Sequence, residues 1–152
     1  MKITQAAQRH VIEAVVIGAS AGGVHALLSL LSGLPDNFRL PVVAVLHLPN
    51  DRDSRLAEIF RQKLSIAVRE AADKEKIAPA TLYFAGPGYH LSVEMDRSFS
   101  LSCEEPVHYA RPSIDVLMES AADAYGASGY PQAATKFYSH TGRYPQFAAQ
   151  PG

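Results

Sequence analysis

The chain has 152 residues, of which 47% are hydrophobic and 19% are charged, and its formal net charge is -1. This size predicts one domain with a buried core, and the near-neutral charge without a basic run argues against nucleic acid as the main partner. The polar residues 1–10 are unlike a signal peptide and no apolar run is long enough to cross a membrane, so we expect a cytoplasmic bacterial protein with a short N-terminal stub and no integral membrane segment.

The first predicted strand leads directly into a glycine-rich turn that carries a serine. Residues 11–17 are apolar except for Glu13 and rich in β-branched side chains, and residues 18–22 form a G-x-S-x-G sequence centred on Ser20. A serine on a strand-to-helix turn is typical of a hydrolase nucleophile, and the backbone N–H groups of Ala21 and Gly22 could stabilise an oxyanion. The alternative is a turn that only connects a strand to a helix.

The second predicted strand ends on a histidine. Residues 41–46 are apolar and His47 follows them. Because ligands bind at the carboxyl ends of parallel strands, Ser20 and His47 are predicted to face each other at one edge of the sheet. Serine needs such an imidazole to accept its proton. The alternative for His47 is a polar residue that closes the strand and bonds to a backbone carbonyl.

Strand and helix signals alternate as far as residue 125, which predicts an α/β fold with a doubly wound, mostly parallel, Rossmann-like sheet. In chain order, the further elements are a helix at 24–31, a helix at 51–64 capped by Asp53 or Ser54, a strand at 66–68, a loop at 73–79, a strand at 81–85, a hairpin at 91–103 on the margin of the sheet, and a helix from Pro112 to Tyr125.

The composition changes abruptly after residue 126. Residues 127–152 contain no valine, isoleucine, leucine, aspartate or glutamate. We therefore predict a poorly ordered tail that supplies no core strand and leaves the sheet C-terminally incomplete. Loss of a closing strand would expose an apolar sheet edge and favour aggregation.

Four blocks of the sequence resemble the catalytic domain of the CheB-type chemotaxis protein-glutamate methylesterases. The resemblance covers residues 11–126, and its blocks are residues 16–23, 46–49, 82–91 and 111–117. It implies a serine hydrolase that demethylates glutamate γ-methyl esters on cytoplasmic helices of methyl-accepting chemotaxis receptors, with related members deamidating glutamines. It assigns Ser20 as the nucleophile and His47 as its general base, and implies no cofactor.

The chain also departs from the family pattern. Full-length members have a receiver domain before the catalytic domain, and we expect none in this chain. The strand and loop that carry the triad aspartate are replaced by residues 127–152, so no triad aspartate is identified. Asp51 and Asp53 follow His47 too closely, and Asp115 does not match the triad position. We therefore expect a chain with very low activity.

The remaining candidate residues have structural alternatives. The chain has six histidines without metal-ligand spacing, which argues against a metal site. His90 is a candidate for the substrate rim or a loop histidine in water, and Arg111 a candidate ligand for a receptor carboxylate or a structural salt bridge. The single cysteine, Cys103, excludes an internal disulfide and is predicted to be a small buried hydrophobe in a reducing compartment.

Two other classes of function remain open. Residues 18–23 could be the phosphate-binding loop of a nucleotide-binding fold, although such folds usually place an acidic residue where His47 stands. The chain could also be a non-catalytic receptor-binding or regulatory module that has kept the fold without the chemistry.

Overall fold

The structure, a computed structural model, describes residues 12–20, 23–47, 55–107, 111–126 and 133–138. Within these residues lie seven strands and three helices. The strands are β1 (Ala14–Ser20), β2 (Val42–His47), β3 (Ala67–Glu70), β4 (Thr81–Phe84), β5 (His90–Val93), β6 (Phe99–Ser102) and β7 (Ala133–Tyr138). The helices are α1 (Val24–Ser32), α2 (Arg55–Lys63) and α3 (Ile114–Gly126).

Five strands form one parallel sheet in the order β3-β4-β2-β1-β7. From β1 the chain passes to β2 and then to β3 at the far edge, returns to form β4 between β3 and β2, and finally crosses to the other side of β1 for β7. This reversal beside β1 is the switch point of a doubly wound sheet, next to which ligands bind. The predicted α/β fold is confirmed.

Residues of the central strands alternate between the two faces of the sheet. Val43 and Val45 belong to a cluster that includes α3 and the β5–β6 hairpin, whereas Val42 and Ala44 belong to a cluster with α1 and α2. All four are almost completely buried, which explains why β2 reads as a continuous apolar run. Burial of each such valine contributes about 1.5–3 kcal/mol of hydrophobic stabilisation.

The β5–β6 hairpin covers a face of the main sheet. It forms a separate two-stranded antiparallel sheet, so the expected hairpin is present but does not lie on the margin of the large sheet. The Phe99 ring packs edge-on against Tyr83 of β4, with 4.8 Å between ring centroids. Residues of the hairpin and of α3 share one core cluster with Val16 of β1 and with Val43 and Val45 of β2.

Residues 127–152 were predicted to supply no core strand, but they add an edge strand to the sheet. Residues Ala133–Tyr138 form β7, which pairs in parallel with β1 over Ala14–Ala19. This segment has little β-branched character, but in a parallel edge strand the backbone hydrogen bonds to β1 do not depend on side-chain type. Because β1 has a neighbour on each side, its edge is covered. The predicted disorder of the rest of this segment concerns residues outside the described ranges.

Within the described residues, no helix combines the length and the apolar character needed to cross a bilayer.

Candidate functional site

Ser20 and His47 are the last residues of two neighbouring parallel strands. In the register of β1 and β2, the Cα atom of Ser20 is the partner of that of His47. Adjacent strands lie about 4.8 Å apart, so the sheet brings the two backbones together at its carboxyl edge. The backbone N–H groups of Ala21 and Gly22, predicted as oxyanion donors, lie outside the described residues.

The His47 side chain is exposed and its Nε2 atom lies 3.0 Å from the carbonyl oxygen of Pro112. A carbonyl oxygen can only accept a hydrogen bond, so Nε2 carries a proton and donates it. In the neutral ring, Nδ1 then holds the lone pair and is the nitrogen that can accept a proton. The alternative prediction for His47, a hydrogen bond to a backbone carbonyl, is therefore confirmed.

Pro112 and Ser113 lead into helix α3. Ser113 is 3% exposed, and its hydroxyl accepts a hydrogen bond from the Val116 N–H at 3.5 Å, which is the pattern of an N-cap. The first helical residue, Ile114, packs directly against Gly18 of β1. This packing places the start of α3 above the carboxyl end of β1, next to His47.

His90 lies beneath this helix start. It is 2% exposed, its Nδ1 accepts a hydrogen bond from the Ser113 N–H at 3.1 Å, and its Nε2 lies 2.9 Å from the Glu105 carbonyl oxygen. The alternative of a loop histidine in water is wrong, because β5 buries the ring between the hairpin and α3. The prediction of a rim residue open to substrate is corrected for the same reason.

Arg111 binds backbone carbonyls. Its Nη1 donates to the carbonyl oxygens of Cys103 and Glu104, at 3.2 and 3.3 Å. Arg111 is exposed, and among the described residues no carboxylate forms the salt bridge that was the structural alternative.

Cys103 is exposed, so the prediction that it is buried is wrong. It lies beyond the end of β6, where the chain leaves the hairpin.

Carboxylates do not pair with His47 in the part of the chain that the structure describes. Asp115 is exposed on the first turn of α3, and Asp51 and Asp53 lie outside the described residues, as does Ser54. Across the described ranges, histidine, cysteine, aspartate and glutamate side chains form no group that could hold a metal ion.

Sequence reasoning missed Pro112 and Ser113 as partners of the two histidines. The signal available was a serine directly before an amphipathic helix, which indicates an N-cap. A backbone carbonyl has no sequence signature, so its bond to His47 is visible only in three dimensions.

Known proteins resemble this chain over most of its length. A family model described as CheB methylesterase matches residues 15–130. A relative from Leptospira interrogans, provisionally named a protein-glutamate methylesterase/protein-glutamine glutaminase, is 43% identical over 113 residues, which are 74% of this chain and 58% of the relative. The protein-glutamate methylesterase/protein-glutamine glutaminase of Clostridium acetobutylicum is 36% identical over 114 residues, covering 75% of this chain and 33% of the relative.

A solved structure shares the fold. The crystal structure of the Thermotoga maritima CheB methylesterase catalytic domain superposes with a TM-score of 0.74 and 29% sequence identity, covering 83% of this chain and 66% of that chain. The chain spans between 33% and 58% of the length of the two relatives above.

Proposed function

Because the chain belongs to the CheB methylesterase family, we propose that it is a serine hydrolase that demethylates glutamate γ-methyl esters, with Ser20 as nucleophile and His47 as general base. The observation that carries this proposal is the register of β1 and β2, in which Ser20 and His47 are direct partners at the carboxyl edge of the sheet. The backbones of two residues that are far apart in sequence and have complementary chemistry lie side by side where α/β enzymes bind ligands.

The proposed reaction has two steps. The Ser20 hydroxyl attacks the ester carbonyl while His47 takes its proton, and the C–O bond to the methoxy group then breaks as His47 donates that proton to the leaving oxygen, which forms methanol. A water molecule attacks the resulting acyl-enzyme with His47 again as base, which releases the glutamate carboxylate and restores the serine. Backbone N–H groups of Ala21 and Gly22 are the proposed donors to the oxyanion in both steps.

The proposed substrates are methylated cytoplasmic helices of chemoreceptors. The names of the relatives also include glutaminase activity, and the same acyl-enzyme would form from a glutamine side chain with ammonia as the leaving group. Methanol release from methylated receptor membranes should exceed hydrolysis of simple methyl esters by this chain. Comparable turnover of both would instead indicate a general esterase.

A fluorophosphonate probe tests the assignment of Ser20. We expect a single adduct on Ser20 in the mass spectrum, absent from Ser20→Ala and retained in the matched control Ser29→Ala, whose serine is exposed on α1. His47→Gln should lower the labelling rate by about 10²–10⁴-fold, whereas His25→Gln on the exposed face of α1 should leave it unchanged. Equal labelling of Ser20→Ala would contradict the proposal.

A non-catalytic receptor-binding module remains the second candidate, because the described partner of His47 is a neutral carbonyl and not a carboxylate. One experiment distinguishes the hydrolase from the binding module. A chain that binds receptor fragments but is neither labelled by the probe nor releases methanol is a binding module.

A further inference from the structure

We propose that His90 is a positioning residue for His47 and that it acts through the peptide group between Pro112 and Ser113. The catalytic consequence of this inference rests on the proposed function, but the hydrogen-bonded arrangement itself does not.

One peptide group joins the two histidines. The Pro112 carbonyl oxygen and the Ser113 N–H belong to the same rigid, planar unit. His47 Nε2 lies 3.0 Å from that oxygen, and the N–H donates to His90 Nδ1 at 3.1 Å. The two histidines therefore form hydrogen bonds at opposite edges of one peptide group.

The chemistry of the donors and acceptors fixes the direction of all three hydrogen bonds that involve His47, the peptide group and His90. Because the Ser113 N–H can only donate, His90 Nδ1 is unprotonated and Nε2 of the same ring carries the proton. That proton is donated to the Glu105 carbonyl oxygen at 2.9 Å. All three hydrogen bonds therefore have the same direction: His47 donates to the peptide group, the peptide group donates to His90, and His90 donates to the Glu105 carbonyl oxygen. Each bond polarises the next, so the Pro112 carbonyl is a stronger acceptor than an isolated one.

Burial makes the peptide orientation costly to change. His90 is 2% exposed and Ser113 is 3% exposed, so water cannot replace the hydrogen bond between them at low cost. Loss of the acceptor on His90 would leave the Ser113 N–H buried without a partner, which is unfavourable because the lost hydrogen bond is not replaced by one to water. Rotation of the peptide away from His90 would also withdraw the carbonyl from His47.

The arrangement selects one tautomer of His47. Holding the proton on Nε2 leaves Nδ1 as the basic nitrogen, in a ring whose orientation is set by the Pro112 carbonyl. In serine hydrolases a carboxylate orients the imidazole and stabilises its charged form. A peptide carbonyl can supply the orientation, although it lacks the negative charge.

Two variants of equal size test the role of His90. Asparagine and leucine have nearly the same shape, but only asparagine keeps a carbonyl oxygen near the place of Nδ1. We expect His90→Asn to preserve the His47 tautomer, seen by ¹⁵N NMR of the ring nitrogens in the full chain. His90→Leu should produce a mixture of His47 tautomers and lower kcat on the order of 10²-fold with little change in KM, as expected for a misplaced catalytic group.

The NMR readout separates this inference from the proposed function and from a simple loss of stability. A folded His90→Leu variant with an unchanged His47 tautomer would overturn the inference, whatever its activity. If the leucine variant does not fold, the wild-type spectrum decides: a His47 ring protonated on Nδ1 and not on Nε2 at neutral pH would overturn it. Failure of the proposed function would appear instead as an unlabelled Ser20 with the tautomer preserved.

Discussion

Gly18 shows at the residue scale how packing positions the candidate site. A Cβ atom at this position would lie deep inside the van der Waals radius of the Ile114 side chain. Its absence lets the first turn of α3 approach β1, and the peptide that precedes this turn bonds to His47. The glycine is therefore required by a close approach between a helix and a strand, two residues before Ser20.

Replacement of Gly18 by alanine should destabilise the fold by about 1–3 kcal/mol through overpacking against Ile114. Gly86→Ala is the matched control, because the added methyl group there meets only the end of the Glu70 side chain, which can move. Urea unfolding measures both. Combining Gly18→Ala with Ile114→Ala should cost less than the sum of the single changes; strict additivity would contradict the proposed clash.

Tyr125 links stability to alkaline pH. Burial raises the pKa of Tyr125 above its ordinary value of 10.0, although the nearby Arg97 guanidinium opposes the shift. Below pH 10 the tyrosine is protonated in both the folded and the unfolded state, so its full contribution to the free energy of unfolding is present. As the pH rises further the unfolded chain ionises first, and that contribution is lost until the folded pKa is passed. The stability difference between wild type and Tyr125→Phe should therefore shrink above about pH 10; a difference that stays constant from pH 8 to 11 would contradict this.

At the scale of elements, the turn of the hairpin is tied to both β1 and α3 by one side chain. Arg97 donates to the Glu13 carboxylate at 2.8 Å and lies 4.2 Å from the centroid of the Tyr125 ring. Its backbone has a φ of 63°, which is favourable for few side chains other than glycine, asparagine and aspartate. The hairpin, the N-terminal side of β1 and the end of α3 thus meet at Arg97.

Loss of the Arg97 side chain should therefore weaken the fold. Arg97→Asn keeps a residue that tolerates the left-handed backbone, so its cost reports the side-chain contacts, at about 1 kcal/mol for a partly exposed cation–π pair with an ion pair. Lys76→Ala is the control: its ion pair with Asp96 is 70% and 62% exposed and should contribute close to nothing. Thermal unfolding of both variants measures the difference, and equal melting temperatures would contradict the role of Arg97.

Element types were predictable where the apolar pattern was strong. The continuous apolar runs of β1 and β2, the helical spacing of α2 and α3, and the turn at Asp96 and Arg97 each gave the correct element. Their boundaries moved by a few residues, because helix ends depend on caps and packing. β7 was missed because the composition of residues 127–152 as a whole predicts no core strand, although β7 itself includes Thr135, Phe137 and Tyr138, and because pairing with β1 is a tertiary effect.

The candidate site was predictable only in part. The strand ends indicated Ser20 and His47, and the register of β1 and β2 places their backbones side by side. The burial of His90 and its bond to the Ser113 N–H depend on the hairpin folding over α3. Interactions between a side chain and a backbone group far away in sequence leave no periodic pattern to read.

At the scale of the whole molecule, β7 turns a four-stranded sheet with β1 at its edge into a five-stranded one with β1 inside. The strand that carries Ser20 then has hydrogen-bonded neighbours on both sides. An uncovered edge would offer its N–H and C=O groups to other chains. Coverage by β7 therefore protects the strand that leads into the candidate site.

Proline substitutions in β7 test this pairing. Adjacent residues of an edge strand point their N–H groups alternately toward and away from the neighbouring strand. One of Thr135→Pro and Lys136→Pro therefore removes an N–H group that donates to β1. We expect one of them to lower the free energy of unfolding by about 1–3 kcal/mol, by leaving a β1 carbonyl without its donor, and to promote self-association in size-exclusion chromatography. Thr135→Ala and Lys136→Ala keep both N–H groups and serve as controls. If both proline variants unfold and elute like their alanine counterparts, β7 does not pair with β1 in solution, and the strand that carries Ser20 is an edge strand.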